Sequence, residues 1–75
     1  MAGKFSDHYP HIARFVDRYG WIEVGYDDFS DAFIRALDMG GTVWIGKSSY
    51  ASVDDALADM EQALAAWMKE NFGET

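Results

Sequence analysis

Apolar side chains near the start of the chain recur with helical spacing. Ile12, Phe15, Val16 and Tyr19 fall at i, i+3, i+4 and i+7, which is one stripe of a helix. This predicts a helix from Ser6 to Tyr19, with Ser6 or Asp7 able to cap its start. Pro10 is tolerated only in the first turn, where its missing N–H is not needed, and this moves the start toward Tyr9. Gly20 stands where a left-handed residue would close the helix.

The pattern then changes. Trp21-Ile22-Glu23-Val24-Gly25-Tyr26 is aromatic and β-branched and reads as a strand, followed by a turn over Asp27-Asp28-Phe29-Ser30. Asp31 to Asp38 fits a short helix by propensity. Gly40-Gly41 favours a tight hairpin, however, and a hairpin there needs this segment as its partner strand. Thr42 to Lys47 is the clearest strand of the three.

Alternation across the hairpin assigns two faces. Ile34 and Ala36 share one face with Val43 and Ile45, and Ile22 and Val24 join this apolar set. The other face takes Phe33, Arg35, Leu37, Thr42 and Trp44, with Trp21 and Glu23 beside them. It reads as neither clean core nor clean surface.

The last helix carries the strongest pattern. Ser52 is an N-cap with Asp55 three residues on, and Asp54 and Asp55 lie in the first turn, where the helix dipole favours negative charge. Val53, Leu57, Met60, Leu64 and Trp67 make a stripe that Ala56, Ala63 and Met68 widen into a core-facing band. Gly73 closes the helix. At 1.5 Å per residue a helix of roughly 20 residues outruns a short strand. The turns from Trp67 to Phe72 are therefore expected to overhang the sheet and meet the first helix or another subunit.

The reading is one α+β domain over residues 1–75, ordered α-β-β-β-α. It is a three-stranded antiparallel meander with an N-terminal helix and a longer C-terminal one. The final helix is expected to pack on Ile22, Val24, Ile34, Ala36, Val43 and Ile45.

Composition narrows the function. The 75 residues hold 6 Lys plus Arg against 13 Asp plus Glu, a net charge of −7, and no Cys. Without Cys there is no disulfide and no thiolate metal site. A domain this small has a marginal core, and partner chains are a common remedy. Duplex nucleic acid needs several basic groups aimed at phosphates. The six here are scattered, so no nucleic-acid partner is expected, and anionic membranes are disfavoured for the same reason. No run approaches the ~18 apolar residues of a membrane span. No signal peptide is visible, which points to the cytoplasm.

The chemistry-bearing motifs are thin. His8 and His11 stand three apart as a two-ligand start to a metal site, but no third ligand is identifiable. Asp27, Asp28 and Asp31 lack the pattern of a calcium loop and read as turn chemistry. Gly40-Gly41 and Gly46-Lys47-Ser48 lack phosphate-loop spacing. Ser48 and Ser49 have no assignable base and no nucleophile elbow. No catalytic residue, cofactor or metal is expected.

The segment Ser52-Val53-Asp54-Asp55-Ala56-Leu57, continuing through Glu61-Gln62-Ala63-Leu64 to Trp67, resembles the helix that follows the meander in the HicB-type antitoxin partial domain. The chain also looks like short bacterial proteins built from a β-meander and a helix. The antitoxin resemblance implies a small acidic α+β fold that oligomerises and neutralises a toxin by protein contact. Met39-Gly40-Gly41 stands where that family has a Pro-Gly-Cys type turn.

The sharper feature is the second sheet face. Trp, Phe and Arg are enriched at binding hot spots, so Trp21, Phe33, Arg35 and Trp44 are the candidate partner-binding residues. Three occupants fit that face: the first helix, a second copy or a foreign protein. The leading expectation is a non-catalytic protein–protein interaction module that forms a homodimer. The alternatives are an acidic, antitoxin-like decoy for a basic partner and a small-ligand binder at a dimer interface.

Overall fold

A computed structural model describes residues 5–26 and 31–73. The expected Asp27–Ser30 turn lies outside them. The elements are α1 (Phe5–His8), α2 (Pro10–Arg18), β1 (Gly20–Val24), β2 (Ile34–Asp38), β3 (Gly41–Ile45) and α3 (Val53–Phe72). The three strands form an antiparallel sheet in the order β1-β2-β3, so the expected α+β arrangement forms.

The N-terminal helix is split. Tyr9 leaves the helical region at φ −134° and ψ 65°, and Pro10 opens α2 at its first turn. A residue before proline is pushed out of the α region, which is why the break falls there.

Ile12 and Phe15 of α2, Ala56, Met60, Leu64 and Met68 of α3, and Ile34 and Ala36 of β2 form one buried cluster. Ile34 and Ala36 lie two apart and point to the same side of the sheet. Both long helices therefore stack on that side in two layers, and the first helix does not cover the opposite face. In α3 the buried row runs at strict i, i+4 spacing, from Ala56 through Met60 and Leu64 to Met68. All four belong to the expected core-facing band, Met60 and Leu64 to its central stripe and Ala56 and Met68 to its widening. Leu57 and Trp67 flank the row half-buried, and Val53 is exposed. A helix wedged between α2 and the sheet buries the middle of its apolar arc, not one edge. Its ends behave as expected: Ser52 Oγ accepts from Asp55 N at 3.1 Å, and Gly73 closes it in the left-handed region at φ 69°. The overhanging turns meet α2, where Phe72 stacks on Tyr19 at 4.6 Å and Trp67 sits edge-on to Phe15 at 5.5 Å.

The hairpin corrects two expectations. Asp38 pairs with Gly41, so the turn is Met39-Gly40, one residue earlier than expected. Gly40 N donates to Asp38 Oδ1 at 2.8 Å, and Gly41 takes φ +123°, which side chains rarely adopt. Leu37 then pairs with Thr42 while Ala36 pairs with Trp44, so Val43 is an extra residue in β3. A bulge of this kind reverses the alternation beyond it. Trp44, expected on the second face, lies opposite Ala36 and packs with Val43 against the helix-side core. Ile45, expected in the core, lies opposite Arg35 and is 57% exposed. Val24 lies opposite Ile34 as expected, yet it stays exposed at the sheet margin.

Gly20 is also not a helix cap. It is the first residue of β1, opposite Asp38, and a Cβ there would sit 1.9 Å from the Leu37 carbonyl oxygen.

Candidate interaction surface

Three of the four expected contact residues are withdrawn from the surface or held by neighbours. Arg35 is only 9% exposed. Its Nε donates to Glu23 Oε1 at 2.8 Å, and its Nη1 donates to the carbonyls of Ala32 at 3.3 Å and Gly25 at 3.4 Å. A buried guanidinium needs such acceptors, since leaving its donors unmade is costly. Phe33 packs against the core margin between Tyr26 and Tyr50, with ring centroids at 5.3 and 6.4 Å. Trp44 faces the helices. Trp21 alone of the four is well exposed, and its Nε1 donates to Glu23 Oε2 at 3.2 Å. Glu23 thus bridges Trp21 and Arg35 on the face the helices leave open.

The surface that does form gathers around β1. Trp21 lies on the open side of this strand. On the helix side Ile22 borders a shallow groove of about 550 Å³, lined also by Phe5, Ile12, Ala13, Val16 and Asp17. Phe5, Val16, Trp21 and Val24 are each close to half exposed. Val16 belongs to the helical stripe legible in the sequence, but the arc of α2 that reaches the core is narrower than that stripe. Phe5 and Val24 carry no signal that marks them as surface groups.

Glu61 is a residue that sequence reasoning misses. From α3 it accepts from the backbone N–H of His11 at 3.0 Å and of Ile12 at 2.9 Å, and it bonds His11 Nδ1 at 2.5 Å. A carboxylate is thereby supplied to the N-terminus of α2, whose own cap residue Tyr9 makes no side-chain cap bond. The contact spans 50 residues, and no local pattern announces it. His11 is held in this bond, in keeping with the reading of His8 and His11 as lacking a third ligand. Among the described residues no group of three or more His, Cys, Asp or Glu side chains gathers to hold a metal ion.

Tyr50 ties the β3–α3 connection down. Its hydroxyl accepts from Lys47 N at 2.8 Å and donates to Asp59 Oδ2 at 2.7 Å. Burial pushes this hydroxyl above the ordinary tyrosine value, the Lys47 N–H opposes the rise, and the Asp59 carboxylate adds to it. The fold therefore favours the neutral phenol. Its contribution to stability is whole below the unfolded value of about 10 and is lost as pH rises through the higher folded value. Wild-type melting temperature is expected to fall on that alkaline limb more steeply than that of Tyr50→Phe, as read by circular dichroism.

Among the described residues Asp17 is the one charged group lining the groove, and these residues hold no nucleophile–base pair there. Among the described residues no helix is long and apolar enough to cross a membrane. No family model, no curated protein and no solved structure matches the chain.

Proposed function

We propose that this protein is a non-catalytic interaction module that self-associates. One observation carries the reading: four of the nine large apolar side chains exposed among the described residues flank a single edge strand, β1, with Phe5 and Val16 sharing a groove with Ile22 on its helix side, Val24 at its end and Trp21 on its open side. Contiguous exposed apolar surface on a small domain marks an interaction site. Each copy carries −7, so long-range repulsion opposes the contact. Salt screens that repulsion, and self-association is expected to strengthen from about 0.01 to about 0.15 M salt, as the screening length falls from about 30 to about 8 Å. Capture of a basic partner would weaken over the same range.

Mixing 15N-labelled and unlabelled chains and recording native mass spectra tests the reading. Mixed-mass dimers beside the two pure ones support it. Only monomer masses at every concentration and salt level overturn it.

A further inference from the structure

The geometry points to the mode of that self-association: β1 of one copy pairs antiparallel with β1 of a second copy about a two-fold axis at Ile22, making one continuous six-stranded sheet. The inference rests on the self-association reading and adds the surface and the register.

Backbone direction is the first support. Gly25 N donates to Phe33 O, and the register continues through Glu23 opposite Arg35 and Trp21 opposite Leu37. Residues in an antiparallel pair alternate between bonding the neighbour and pointing away from it. Glu23 and Trp21 therefore spend their backbone groups on β2, while Gly20, Ile22 and Val24 aim theirs outward. Strand order places β1 at the sheet edge, and among the described residues no strand lies beyond it. An unpaired row of N–H and C=O groups is a template for another strand. A two-fold axis at Ile22 sets Ile22 against Ile22, and Gly20 against Val24 of the second copy. Every outward group in the strand is then matched by a donor or acceptor.

Side chains fit the same register. On the open face Trp21 lies opposite Glu23 of the second copy, so each indole, its N–H already given to Glu23 of its own chain, presents its apolar body to the junction. Glu23 is already neutralised by Arg35 at 2.8 Å, which leaves Asp17, lining the groove beside Ile22, as the like charge that the axis brings closer from each copy. On the helix face the exposed Val24 lies against Gly20, the residue with no side chain to obstruct it. Phe5 and Val16, above Ile22, extend the contact beyond the strand itself. A standard interface buries about 800 Å² per partner, more than a five-residue strand edge offers, so these flanking groups are needed to reach it.

Val24→Pro tests the pairing. Proline is tolerated on an edge strand where the N–H points away from the sheet, so β1–β2 bonding survives while one donor at the junction is lost. Sedimentation equilibrium is expected to show self-association weakened at least tenfold, with a circular dichroism spectrum like wild type. Ile45→Lys, on β3 at the far edge, is expected to leave association unchanged. Should Val24→Pro fail to fold, amide exchange in the wild-type protein decides. The Gly20, Ile22 and Val24 amides are expected to become protected as concentration rises, and their exchange staying independent of concentration would overturn the pairing. Dimers from Val24→Pro as tight as wild type also overturn it and leave the self-association reading standing. A wild-type protein that is monomeric throughout removes both.

Discussion

Gly20→Ala is expected to destabilise the protein by about 3 kcal/mol or more, beyond the usual range for overpacking. The added methyl would lie 1.9 Å from the Leu37 carbonyl oxygen and 2.9 Å from its carbon. Both are backbone atoms of the central strand and cannot rotate away as a side chain would. Relief requires β1 to move off β2 at the point where α2 hands the chain into the sheet. Total stability for 75 residues is of order 4–11 kcal/mol at about 0.05–0.15 kcal/mol per residue, so the variant approaches unfolding at ambient temperature. Urea titration followed by circular dichroism measures the loss. Gly25→Ala provides the contrast: among the described residues a Cβ there meets nothing within 4 Å, and its φ of +113° is what opposes the change.

Glu61→Ala is expected to cost about 2–4 kcal/mol. This follows from two backbone donors losing their acceptor at about 1–3 kcal/mol each, with part of the loss recovered by water. The side chain is 17% exposed, so little solvent reaches the bond to His11. Truncation leaves His11 N and Ile12 N without the carboxylate that caps the start of α2, and it removes a polar tie between α2 and α3 beside their apolar contacts. Glu61→Gln keeps one acceptor oxygen and loses the charge, and an intermediate loss is expected. The check is chemical denaturation together with amide resonances, where His11 and Ile12 are expected to shift more than any residue of β3.

Particular residues show why parts of this molecule are legible in the sequence. Ser52, the carboxylates after it and Gly73 define α3 to within a residue because helix ends obey local chemistry: a side chain and a few backbone groups settle them. The strand order follows from a tight glycine hairpin that makes neighbours of the two segments it joins. The faces of the sheet are less legible, since alternation transmits any error along the whole strand. One extra residue, Val43, moves Trp44 into the core and Ile45 out of it, and nothing in Thr42-Val43-Trp44-Ile45 announces the insertion. Gly20 shows a second kind of ambiguity. A glycine after a helix is consistent with a cap, but here it answers the close approach of the Leu37 carbonyl from a strand 17 residues away. Glu61 and Arg35 show a third. Their partners come from distant segments or from backbone carbonyls, so their roles exist only once the helices and sheet are assembled. The candidate surface is legible at Trp21 alone. The rest of it depends on which side α2 chooses, and amphipathic patterning gives a helix an apolar face without saying which sheet face receives it.

On the reading proposed above, a second copy of the chain covers the exposed apolar groups around β1. Absolute mass by light scattering, taken from low micromolar to millimolar protein at fixed salt, tests it most directly. The mass is expected to rise from 8.4 kDa toward twice that value, with a plateau there and no larger species, because pairing through a two-fold strand edge uses up the β1 edge of both partners. A mass that stays at 8.4 kDa to the highest concentration would contradict it.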